Sequence, residues 1–128
     1  MTRAGEALVR DYVEGWQAGD RERILGALAP DCVIVESDGP TYRGRDIIAR
    51  WVDGAIADGV TVDRWDVTSL ATADGACFFE WDFSCTVAGD VWAFTGASVA
   101  RFGETGIRSL HEYRLTAAPY DWQPGPAT

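Results

Sequence analysis

The 128-residue chain contains no lysine and no asparagine. All 11 basic residues are therefore arginine, which excludes a Schiff-base lysine and a phosphate-loop lysine. Without asparagine there is no acceptor for N-glycosylation. Histidine occurs once, as His111, and a single His with no Cys or carboxylate at ligand spacing falls short of a metal site, so no metal is expected. Cysteine is scarce too. Cys32, Cys77 and Cys85 make an odd count without a C-x-x-C pair, so each reads as a small buried hydrophobe in a reducing compartment, not as part of a disulfide framework. Positive charge is in deficit: 20 acidic residues leave a formal net charge of -9, and no basic cluster offsets it. That balance repels phosphate backbones and anionic membranes, so neither nucleic acid nor membrane is an expected partner. No segment is long enough to span a bilayer, and the amphipathic opening "MTRAGEALVRDYVEGW" has no signal-peptide apolar run, so a cytoplasmic chain is expected.

What the chain does have is apolar and aromatic bulk. Hydrophobic residues make up 47%, with six Trp, four Tyr and five Phe, enough for a packed core and for pocket walls. The length suits one domain, residues 1–116, followed by a Pro- and Gly-rich tail, residues 117–128.

Leu8, Tyr12 and Trp16, with Val9 and Val13 beside them, form an apolar stripe on a first helix that ends at Gly19. Asp20 is an N-cap for a second helix carrying Ile24, Leu25 and Leu28 and stopped by Pro30. "DCVIVES" then alternates as a strand, with Cys32, Ile34 and Glu36 on one face. Glu36 is either the solvated strand end or a carboxylate pointed into an apolar interior, where an acid can be tuned for proton transfer. "SDGPTYRG" reads as a turn, and Ile47, Ile48, Trp51, Val52, Ala55 and Ile56 as a third helix.

From Val60 the period becomes two, and the turns "ADG", "AGD" and "GETG" divide the remainder into four long strands of an antiparallel meander. Val60 and Val62 are out of phase with Trp65 and Val67, which predicts a bulge near Asp63 and Arg64. Phe79, Trp81, Phe83 and Cys85 share one face, Phe94 and Ser98 one face of the next strand, and Ile107, Ser109, His111 and Tyr113 one face of the last. The expected class is α+β: a cone-shaped, curved antiparallel sheet with three N-terminal helices closing a pocket. Converging phases put Tyr12, Trp16, Phe79, Trp81, Phe83, Phe94 and Tyr113 on its wall, as binding residues for a small hydrophobic ligand.

The order of elements, with "DYVEGWQAGD", "LAPDCVIVE", "YRGRDII" and "ARFGETGIRSLHEY" at their spacings, resembles the nuclear transport factor two-like superfamily, in its ketosteroid isomerase and SnoaL-like polyketide cyclase branches. The likeness spans Leu8 to Leu115. It implies a ketosteroid isomerase-like, cystatin-like α+β barrel and places Tyr12 as a hydrogen-bond donor to a substrate oxyanion and Glu36 as the carboxylate base. Ser98 falls where the isomerases hold a protonated aspartic acid, and His111 on a pocket-facing position of the last strand. The base differs from theirs: Glu36 is followed by Ser37, where the isomerases have Asp followed by Pro. Two functions fit these residues. One is a cofactor-independent enzyme moving a proton next to a carbonyl as an isomerase, cyclase or dehydratase, or opening an epoxide with Glu36 or His111 activating water. The other is a non-catalytic small-molecule-binding protein. The resemblance further implies a homodimer packed sheet against sheet through Ala93, Thr95, Ala97 and Val99.

Overall fold

In the computed structural model, which describes residues 2–126, α1 (Thr2–Ala18) buries Val9, Tyr12, Val13 and Trp16 along one stripe. Gly19, at φ +64°, ends it, and Asp20 caps α2 (Arg21–Gly26) by accepting the Arg23 N–H at 3.2 Å. The second helix is shorter than expected. Leu28 already belongs to β1 (Leu28–Val35), and Pro30 sits inside that strand instead of stopping a helix. It is tolerated because β2 (Thr41–Arg43) pairs β1 only at Val33–Val35, leaving the Pro30 edge with no ladder bond to lose. The segment read as a turn therefore contains this short strand, which leads into α3 (Arg45–Ala57).

The meander follows as β3 (Thr61–Ala73), β4 (Ala76–Val87), β5 (Asp90–Gly103) and β6 (Gly106–Arg114). Its first two hairpins turn on Asp74-Gly75 and Ala88-Gly89, all four at positive φ, as two-residue turns between twisted strands require. The six strands run in the order β2-β1-β6-β5-β4-β3. The meander pairs are antiparallel as expected, and so is β1 with β2; β1 joins β6 in parallel. The expected bulge is present between Val62 and Arg64, and a second lies between Val67 and Ser69. Together they turn Val62, Trp65, Val67 and Leu70 to the face where Cys85, Phe83, Trp81 and Phe79 lie.

A further bulge, in β6, changes the reading of the site. Arg101 pairs with Ser109 but Phe102 with Ile107, so Arg108 is the extra residue and the phase reverses across it. Ile107 and Leu110 are consequently both buried, on either side of the bulge. From there Glu112 and Arg114 face inward with Leu110, whereas Ser109, His111 and Tyr113 face outward. The three helices cover the inner face. The outer face is open, with Val35, His111, Val99, Phe78 and Ala71 in one row across neighbouring strands and Ala93, Thr95 and Ala97 alongside. All three cysteines are free; Cys32 and Cys77 are buried. Residues 118–126 carry no regular secondary structure, and no described helix is long and apolar enough to cross a membrane.

Candidate functional site

Between the helices and the inner face of the sheet lies a cavity of about 400 Å³, whose wall includes Tyr12, Trp16, Trp65, Trp81, Phe83 and Phe94. Two carboxylates enter it from strands that are neighbours in the sheet, Glu36 from the end of β1 and Glu112 from β6.

Glu36 sits where β1 leaves the sheet. Its N–H donates to the Pro40 carbonyl and its own carbonyl accepts from Gly39, each at 2.9 Å, which pins the backbone of the β1–β2 turn. The Tyr42 hydroxyl donates to Glu36 Oε1 at 2.6 Å. That tyrosine is held by stacking on Trp51, with ring centroids 4.4 Å apart, and Trp51 in turn packs on Trp16. Burial pushes the Glu36 carboxyl above the ordinary carboxylate range, the Tyr42 bond pulls it back, and the Asp38 charge adds to the rise. The same burial and the carboxylate at its hydroxyl raise Tyr42.

Glu112 lies directly across from Ser98 in the β5–β6 ladder. Protein surrounds it, yet the cavity reaches it, so its side chain is only half-buried by surface. Burial, first, and the Glu36 charge, second, push its carboxyl up to about 8, and the neighbouring Ser98 hydroxyl opposes the rise. The Ser98 oxygen also accepts the Trp81 indole N–H at 2.8 Å. Ser98 is thus fully buried behind the wall, held by Trp81 and paired with Glu112 across the ladder. Gly96 makes this possible, because a Cβ there would overlap the Tyr113 carbonyl oxygen and the Trp81 ring.

Tyr12, buried on α1, stands within the field of both carboxylates. Burial raises it well above the usual phenol range, the Glu112 charge raises it further, and Trp16 opposes the rise without its N–H reaching hydrogen-bonding geometry. Among the described residues no group of three or more His, Cys, Asp or Glu is placed to hold a metal ion.

Of the residues expected at the site, the fold brings Tyr12, Trp16, Glu36, Trp81, Phe83 and Phe94 to one cavity, with Ser98 just behind it. Phe79 is buried in the core and is not on the wall. His111 and Tyr113 are corrected: both are exposed on the outer face of the sheet, because their phase was counted from Ile107 across the Arg108 bulge. The same miscount hid Glu112. The signal available for it was "LHEYR", a carboxylate two residues after an apolar Leu110, the same cue that marked Glu36 beside Ile34. Trp51, Tyr42 and Arg114 were also missed; the Arg114 guanidinium lies 4.9 Å from the centre of the Phe94 ring at the cavity wall.

No curated protein sequence matches the chain significantly. Solved structures match its fold closely. An LEH-like epoxide hydrolase from M. tuberculosis superposes with a TM-score of 0.79 at 17% identity, over 89% of this chain and 84% of that one. A protein with a ketosteroid isomerase-like fold from Catenulispora acidiphila, in complex with trimethylamine, gives 0.72 at 22% identity, over 91% and 97%. TerC, co-crystallised with polyporic acid, gives 0.73 at 13% identity, over 88% and 92%. At these identities the likeness concerns the fold. The sequence itself matches the SnoaL-like domain over residues 9–109, and the chain belongs to that family.

Proposed function

We propose that this chain is a cofactor-independent enzyme that moves a proton next to a carbonyl of a hydrophobic small molecule, in the manner of an isomerase, cyclase or dehydratase. The observation that carries the reading is a pair of carboxyls in one cavity with different surroundings: Glu36 accepts the Tyr42 O–H, whereas Glu112 is enclosed across the ladder from Ser98 and is pushed up to about 8. Glu112 keeps its proton through neutrality, while the Tyr42 O–H favours the ionised form of Glu36, which divides the roles of acid and base between them.

In the proposed step the Glu36 carboxylate takes a proton from the carbon beside the carbonyl. The electron pair of the broken C–H bond moves onto the carbonyl oxygen, where the Glu112 carboxylic acid and the Tyr12 hydroxyl donate hydrogen bonds to the enolate. Glu36 then returns the proton to the same or a conjugated carbon. Ser98, expected as the second donor, is buried behind the wall and acts on Glu112, its neighbour across the ladder, not on the substrate. His111 has no part, and the aromatic wall excludes water and fits an apolar substrate.

Epoxide opening uses the same division, with Glu36 activating water and Glu112 protonating the departing oxygen; likeness to the LEH-like structure favours keeping it as a second reading. The open outer sheet face supports assembly as a homodimer.

Proton abstraction can be tested without the physiological substrate. The protein is incubated with a cyclic ketone such as 2-tetralone in D₂O, and exchange at the α-carbon is followed by NMR. Exchange well above buffer background is expected, and Glu36→Gln should abolish it while ligand binding survives. Background exchange with the wild type, or full exchange with Glu36→Gln, removes the base and leaves a binding protein.

A further inference from the structure

Five of the chain's six tryptophans, Trp16, Trp51, Trp65, Trp81 and Trp92, line this one cavity. Indole faces are the strongest side-chain partners for a soft cation. The charged groups on the same wall favour the matching sign: Glu36 and Asp38, with the protonated Glu112 beside them, against a single basic residue, Arg114. That arginine already shows what the wall accepts, since its guanidinium is seated over Phe94, and among the described residues it makes no ion pair.

From this juxtaposition we infer that the cavity selects an organic cation, an apolar tertiary or quaternary ammonium, over a neutral molecule of the same shape. A neutral ligand gains only burial against the rings. An alkylammonium gains the same burial together with attraction to the indole faces and to Glu36 and Asp38, and its charge is spread over methyl groups that shed water readily. An anion meets the Glu36 and Asp38 carboxylates with one competing arginine.

The inference rests on the proposed function only in taking this cavity as the ligand site, and it is read by binding, not turnover, so either can fail alone. Isothermal titration compares benzyltrimethylammonium with neopentylbenzene, in which carbon replaces the charged nitrogen. The cation is expected to bind at least about tenfold more tightly, and Glu36→Gln should weaken the cation while leaving the neutral probe unchanged. Equal affinities, tighter binding of the neutral probe, no saturable binding of the cation at millimolar concentration, or equal weakening of both probes by Glu36→Gln overturns it.

Discussion

A carboxyl that keeps its proton up to about 8 is a cost to the folded state, and Glu112→Gln should remove that cost. The sign follows from proton linkage. Below about pH 4.5 the carboxyl is protonated in both the folded and unfolded chains and pH has no effect through it. As pH rises from there to about 8 the unfolded chain gives up the proton while the folded one keeps it, so stability falls. Above that range both states are ionised and the penalty is constant. The interval between the ordinary value and 8 sets a ceiling of about 5 kcal/mol. Water entering the cavity and the coupling to Glu36 reduce what is measured to roughly 2–3 kcal/mol. Glutamine keeps the shape but cannot ionise. Urea unfolding of both proteins at intervals from pH 4 to 9 should give nearly equal stabilities at the acid end. A gap in favour of the variant should then open through neutrality and level off near pH 8.5. A gap that is constant with pH, or that widens toward acid, would refute the placement of Glu112 in a desolvated site beside Glu36. In the α-exchange assay the wild type should lose activity above about pH 8 as Glu112 ionises, and the slower Glu112→Gln variant should lack that alkaline limb.

Three further outcomes follow from particular contacts. Tyr42→Phe removes the hydrogen bond that holds Glu36 down, so the acid limb of the exchange rate should move to higher pH; an unmoved limb would mean the bond does not set the base. Gly96→Ala should destabilise the fold by about 3 kcal/mol in thermal or urea unfolding, because the new Cβ would overlap the Tyr113 carbonyl oxygen and the Trp81 ring; a neutral effect would show that the strands adjust. Val99→Glu on the outer face should give a monomer by light scattering where a dimer is expected of the wild type, and His111→Ala should leave α-exchange unchanged; a wild-type monomer removes the dimer proposal, and lost exchange returns His111 to the site.

The fold was legible because its signals are redundant. The stripe through Tyr12 and Trp16, the Asp20 cap and three glycine-bearing turns each mark an element by local chemistry, and their order admits one architecture. Where the signals thin, the reading slipped: Leu28 was assigned to a helix because an apolar residue suits either period, and Tyr42 was lost in a segment dense with turn residues. The long-range parallel pairing of β1 with β6 has no local signature at all.

The site was legible only as far as strand phase could be carried, and phase is reset by every bulge. In β3 the two halves of the strand disagree visibly, Val62 against Trp65, so the bulge could be inferred before the structure. In β6 the bulge gives no such notice, because Ser109, His111 and Tyr113 make as plausible an inward face as Leu110, Glu112 and Arg114. The decision between them comes from packing. Ile107 and Leu110 are three residues apart and both fully buried, which a regular strand cannot achieve on one face. Inserting Arg108 satisfies both, since its side chain is exposed where the ladder is broken. Core burial thus fixes the register, and the register carries Glu112 into the cavity opposite Ser98 and puts His111 on the far side of the sheet. The acid of the proposed pair is placed by an apolar requirement several residues away, so a search for chemistry-bearing residues alone settles on the histidine and passes over the carboxylate beside it.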